Sequence, residues 1–144
     1  MANQMDISTP KELANLIDGK SDAEINEAVV SMGADAALTK VFEGMIKAFL
    51  ADKAKGQSAI IQWDIKTPKD TQSYQVNVND GKCTFTKGAP QKPRVTLAAA
   101  LPDFLRVITG QVAGQQAFFS GKLKLSGDMM FAMTQENWFD KTMG

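Results

Sequence analysis

Apolar positions change their period twice along this chain. From Asp35 to about Lys53, Leu38, Val41, Phe42, Met45, Ile46, Phe49 and Leu50 recur at three- and four-residue steps, with Lys40, Glu43 and Lys47 between them. That spacing predicts one long amphipathic helix. After Gly56 the period becomes two. Ala59, Ile61, Trp63 and Ile65 alternate with Ile60, Gln62 and Asp64, and Tyr74, Val76 and Val78 alternate with Gln75, Asn77 and Asn79. Asp80-Gly81 is a two-residue hairpin signal, with Cys83 and Phe85 on the strand beyond it. A fourth strand is predicted from Arg94 to Ala98, so residues 58–98 should form an antiparallel meander with one wet face. Helical spacing returns near Pro102 with Phe104, Leu105 and Ile108, and ends near Gly110.

The stretch from Ala117 to Met133 repeats the alternation on a small scale. It reads as a helix end, a turn at Gly121, a strand, a turn at Gly127 and a last helix. Leu123 and Leu125 alternate with Lys122 and Lys124, the pattern of a half-buried strand. On the last helix Met129, Met130 and Met133 fall within about 100° of one another, with Phe131 and Trp138 on the far side. Apolar groups on two sides require two apolar neighbours: the sheet, and either an N-terminal arm, a second subunit or a ligand. Such an arm is written upstream. Thr9-Pro-Lys-Glu12 and Ser21-Asp-Ala-Glu24 are capping boxes that open two short helices, stopped at Gly19 and Gly33. The expected division is a helical arm over 1–34 and a body over 35–144.

Composition narrows the chemistry. Sixteen basic and sixteen acidic residues cancel, so no charge excess points to nucleic acid. Histidine is absent from all 144 residues, which removes His-based triads and His-containing zinc sites. No phosphate loop, dinucleotide fingerprint or serine elbow occurs, and no cofactor or metal is expected. Cys83 alternates with Phe85 and reads as a buried, inert thiol. The first residues lack a signal-peptide pattern, the last four are not a peroxisomal signal, and no run approaches the roughly 18 apolar residues of a membrane span. Cytoplasmic location is the expectation. Eight Met and eight Phe stand out, because methionine suits irregular or changing surfaces.

Phe118-Phe-Ser-Gly-Lys-Leu-Lys-Leu-Ser-Gly-Asp-Met129 resembles the C-terminal signature of the sterol carrier protein 2 family of lipid-binding domains. Val41-Phe-Glu-Gly-Met, Val95-Thr-Leu, Asp103-Phe-Leu, Gly110 and Gln115-Gln-Ala-Phe-Phe keep that family's order over about residues 35–139. The first 34 residues fall outside it and compare with the extra helical arm of some bacterial single-domain members. The resemblance implies an α+β fold, with a five-stranded, mostly antiparallel sheet covered by helices and enclosing an apolar tunnel. It implies non-enzymatic binding and transfer of fatty acid, fatty acyl-CoA, phospholipid or sterol, with the last helix as a lid. Carried over by position, the lipid-lining candidates are Phe42, Met45, Ile46, Phe49, Phe104, Ile108, Phe118, Phe119, Met129, Met130 and Met133. Two other readings stay open. A flat Phe/Met surface would suit a protein partner. A small acid–base enzyme acting on a steroid-like substrate would use Tyr74, although Asp64 is out of phase with the inward face. Transient membrane contact, and the choice between monomer and homodimer, are left open by the sequence.

Overall fold

A computed structural model describes residues 10–140. The first expected capping box includes Thr9, and the targeting expectation concerns the last four residues; both Thr9 and those residues lie outside the described range. Helix α1 (Pro10–Ile17) and helix α2 (Asp22–Met32) come first. Ser21 caps α2 as its sequence implies: its Oγ accepts from Glu24 N at 3.2 Å, and Ser21 N donates to Glu24 Oε1 at 2.9 Å.

Helix α3 spans Ala34–Lys47, shorter than its apolar stripe suggested. The cause is tertiary. Leu50 N donates to Trp138 O at 2.6 Å, Asp140 N donates to Ala48 O at 2.8 Å, and Phe49 forms a bridge with Phe139. The chain's last described segment therefore takes the backbone groups that a longer helix would have used internally.

Strands β1 (Ser58–Lys66), β2 (Thr71–Asn79), β3 (Lys82–Lys87), β4 (Val95–Ala100) and β5 (Leu123–Gly127) form one open sheet in the order β3-β2-β1-β4-β5. Asp80 (φ 52°) and Gly81 (φ 78°) both take positive φ, the requirement of the tight β2–β3 hairpin. The expected meander is corrected at one junction. After β3 the chain crosses to the other side of β1, and β4 pairs with β1 in parallel. This register sets Ile61 beside Val95, Trp63 beside Leu97 and Ile65 beside Ala99, extending one dry face across four strands. The opposite face is polar. Asp64 Oδ1 accepts from Gln62 Nε2 (2.9 Å) and Ser73 Oγ (2.7 Å), and Gln75 Nε2 donates to Gln62 Oε1 (2.9 Å).

Helix α3 precedes the sheet in the chain, α4 (Leu101–Ile108) and α5 (Gly114–Phe119) lie between β4 and β5, α6 (Met129–Gln135) follows β5, and a single 3₁₀ turn, Glu136–Trp138, continues α6. The core centres on Phe42, whose ring stacks on Tyr74, Phe85 and Phe104 at centroid distances of 4.5, 5.8 and 5.6 Å. Leu13 and Ile17 of α1 and Ile25 and Val29 of α2 belong to the same buried cluster. Arg106 of α4 fixes both helices at their junction: Nη1 donates to Asp22 Oδ1 (2.5 Å) and Nη2 to Lys20 O (3.2 Å). No helix among the described residues is long and apolar enough to cross a membrane.

Candidate functional site: an apolar pocket under the methionine helix

One end of the dry sheet face is not filled. A pocket of about 140 Å³ lies there, between the sheet, α4, α5 and α6. Trp63 and Leu97 line it from β1 and β4, Leu123 and Leu125 from β5, and Val107 and Ile108 from the last turn of α4. Met45 reaches it from α3, and Phe139 closes it behind the 3₁₀ turn. The remaining wall comes from α5 and α6, with Phe118 and Phe119 on one and Met129, Ala132 and Met133 on the other.

The sequence explains how α6 comes to hang over this space with its methionines outward. Asp128 Oδ1 accepts from Phe131 N at 3.0 Å and caps the helix. Arg94 pairs with Asp128 (Nε to Oδ2, 3.2 Å) and lies 4.3 Å over the Phe131 ring. Phe131 meets Trp138 edge-on at 5.3 Å, and both are buried. The far side of α6 is thus anchored in the body. The methionine side is left at the surface: Met130 is 80% exposed, Phe119 of α5 is 75% exposed, and Met129 and Met133 are each nearly half exposed while also lining the pocket. Soft, unbranched side chains therefore form the rim of the opening.

The candidates drawn from the sequence divide into two groups. Met45, Ile108, Phe118, Phe119, Met129 and Met133 meet at the pocket wall. Phe42, Ile46, Phe49, Phe104 and Met130 are not part of the lining. Phe42 and Phe104 are fully buried in the aromatic stack, with Phe104 edge-on to Trp63 at 4.9 Å and so one layer behind the wall. Phe49 packs on Phe139 at 5.7 Å, also one layer back; Ile46 is half-buried, and Met130 points outward. Several wall residues escaped the sequence reading. Trp63, Leu97, Leu123 and Leu125 had a usable signal, because their strand alternation places them on the dry face. Gln115, Gln135 and Glu136 had none, since a polar residue at a helix end normally reads as solvated.

Tyr74 sits elsewhere. Its buried hydroxyl donates toward Asp35 Oδ1 and Gln72 Oε1, both at 3.4 Å, and Lys87 pairs with the same Asp35. Burial, followed by the adjacent Asp35 charge, pushes the Tyr74 hydroxyl above its ordinary pKa. It does not line the pocket, so the Tyr74-based acid–base geometry is not assembled there. Cys83 is partly buried, and desolvation pushes its thiol up to about 12.

Comparison with known proteins gives a consistent result. The model of the SCP-2 sterol transfer family matches residues 38–140. Peroxisomal multifunctional enzyme A of Dictyostelium discoideum is 33% identical over 130 residues, covering 88% of this chain and 27% of that protein. Sterol carrier protein 2 of Homo sapiens is 38% identical over 65 residues, covering 45% of this chain and 12% of that protein. The chain therefore spans only about a quarter or less of the length of these relatives. The crystal structure of sterol carrier protein 2-like 2 from Aedes aegypti superposes with a TM-score of 0.58 at 22% identity, covering 75% of this chain and 97% of that one, which establishes the shared fold. A pocket between a mixed five-stranded sheet and its helices, together with the family match over most of the chain, identifies this protein as a member of the SCP-2 sterol transfer family, a family of lipid-binding and lipid-transfer domains.

Proposed function

We propose that this chain is a non-enzymatic lipid carrier that holds the apolar part of a lipid under α6 and exchanges it at a membrane. The observation that carries this reading is a pocket with a largely apolar wall that opens at a rim of exposed Phe119, Met129 and Met133, with Met130 exposed on the outer side of the same helix. Each CH₂ moved from water into such a wall contributes about 0.8 kcal/mol before ordering costs. The Phe/Met surface is hollow rather than flat, which favours a ligand over a protein partner.

The pocket's size sets a condition. At about 140 Å³ it is similar to an engineered apolar cavity of about 150 Å³ that takes up benzene. As it stands it receives a segment of an acyl chain, not a whole one. A full chain or a sterol requires the methionine side chains, or α6 itself, to move outward. The last helix then acts as a lid, and the exposed Phe119 and Met130 are placed to enter a lipid surface when it opens. Helices α1 and α2 brace α4, which supplies one wall, and the lipid-binding unit is assigned to residues 35–144.

Native mass spectrometry with lipid extraction, joined to transfer of a fluorescent phospholipid between vesicles, tests this reading. Retained lipid and accelerated transfer are expected. Met130→Ser, exposed and outside the pocket lining, should slow transfer while leaving the lipid bound. A protein that arrives empty and transfers nothing overturns the carrier reading. Retention unchanged after truncation before Asp128 removes the lid.

A further inference from the structure

One polar side chain in the pocket wall is almost wholly buried. Gln135, the last residue of α6, is 5% exposed, whereas Gln115 is exposed to solvent and Glu136 is half-buried. Helical spacing puts it there: Ala132 of the wall lies three positions back on the same face. Gln135 Nε2 donates to Ala132 O at 3.1 Å, and this bond fixes the side chain. A backbone carbonyl can only accept, so the amide nitrogen faces Ala132 and the carboxamide oxygen faces away. Among the described residues no donor is bonded to Gln135 Oε1. Nor is that oxygen sealed inside protein, because the buried side-chain atom without a partner among those residues is Asn26 Oδ1, on α2. The open space that a nearly buried wall residue touches is the pocket. Oε1 is therefore an unused acceptor set among Trp63, Val107 and Leu123.

We propose that Gln135 is the polar anchor of this pocket and that its Oε1 receives the hydroxyl of a single-chain lipid. The inference rests on the carrier reading and names a ligand class for the same pocket. A plain hydrocarbon segment against Gln135 would strip water from Oε1 and leave a buried acceptor without a partner, which weakens binding. A hydroxyl supplies the missing proton. The volume of about 140 Å³ suits a single chain better than a fused sterol ring system. Gln135 stands at the opposite end of α6 from Met129, about 9 Å along the axis at about 1.5 Å per residue. A hydroxyl held at Oε1 therefore sends its chain back toward the methionine rim. The second hydrogen on Nε2 is a donor, so the same carboxamide also serves an ether oxygen or the carboxylate of a fatty acid. Only Oε1 separates a lipid that brings a proton from one that does not.

Displacement of a bound fluorescent fatty acid by decanol and by its methyl ether tests this. The hydration of each ligand is the same whatever the protein, so the alcohol-to-ether affinity ratio, compared between variants, reports the protein group. Gln135→Leu, close in size, should lower that ratio about tenfold, mainly by weakening the alcohol. Gln116→Ala, exposed on α5 and outside the lining, should leave it unchanged. In the wild-type protein the side-chain carbonyl carbon of Gln135, followed by NMR, should lie downfield in the decanol complex relative to the ether complex, a readout that needs no variant. A folded Gln135→Leu protein with the wild-type ratio, or a Gln135 resonance that is the same in both complexes, overturns the anchor and leaves the carrier reading standing. So does a protein that takes up the fluorescent fatty acid and yields it to neither decanol nor its ether. Cholesterol and its methyl ether showing the Gln135 dependence where the decanol pair shows none overturns the single-chain assignment. A protein that takes up no lipid overturns the carrier reading as well.

Discussion

Phe42 and Phe118 are both aromatic residues on apolar helix faces, yet they have different duties. Phe42 is fully buried among three other rings, so replacing it withdraws packing from the centre of the core. Phe42→Leu should cost about 1–3 kcal/mol in urea unfolding and leave lipid affinity unchanged in the folded protein. Phe118→Leu, at the pocket wall, should do the reverse. Cys83 makes a separate test. Desolvation holds its thiol neutral, with the pKa up at about 12. Fold therefore favours the protonated form: the stability this supplies is intact below an unfolded thiol pKa of about 8.5 and is lost as pH rises from there toward the folded value. At about pH 8 a thiol reagent should label the native protein on the order of a thousandfold more slowly than the chain in urea, from thiolate population alone. Comparable rates would show that the thiol is not desolvated.

At the scale of the element, α6 is the piece on which the proposed exchange depends. Its N-terminal cap, its ion pair and its cation–π contact all converge on Asp128, Arg94 and Phe131. The Phe131 backbone N–H and then Arg94 hold the Asp128 carboxyl below the usual carboxylate range. The support it gives is therefore present above the unfolded pKa of about 3.9 and disappears as pH falls through the lowered folded value. Asp128→Ala should lower the thermal midpoint by a few degrees and speed lipid release. Asp128→Asn keeps a good cap and loses the ion pair, so its release rate should lie between Ala and wild type. Equal release from all three proteins would mean that α6 does not gate the pocket.

Across the whole molecule, the two N-terminal helices and the pocket stand on opposite terms with α4. Ile25 of α2 is 1% exposed and belongs to the common core, while Val107 and Ile108 at the end of α4 face the pocket. Ile25→Ala should cost about 2–5 kcal/mol of unfolding free energy through the cavity it leaves. In the fraction that stays folded, lipid affinity should be unchanged. A single cooperative unfolding transition is expected, because the arm helices have no core apart from α3 and α4. An early, separate transition for residues 10–33 would contradict that.

Local pattern alone determined much of this protein. Periodicity, capping signals and turn residues located helices α1 to α6 and strands β1 to β5, the capping box at Ser21 and the hairpin at Asp80-Gly81, because each depends on neighbours within a few residues; the 3₁₀ turn Glu136–Trp138 had no such signal. Ordered motifs carried the family and its α+β sheet. Pairing between distant segments decided the rest. The C-terminal segment ended α3 by bonding to Ala48 and Leu50, and the crossover from β3 made β4 the parallel partner of β1. Tertiary packing also separated the apolar candidates into core and pocket, since Phe42 and Met45 carry the same helical signal and differ only in what stands opposite them. Glu136 shows the same limit most sharply: a charged residue at a helix end reads as solvated until Gly114, twenty-two positions earlier, is seen to leave it a place in the wall.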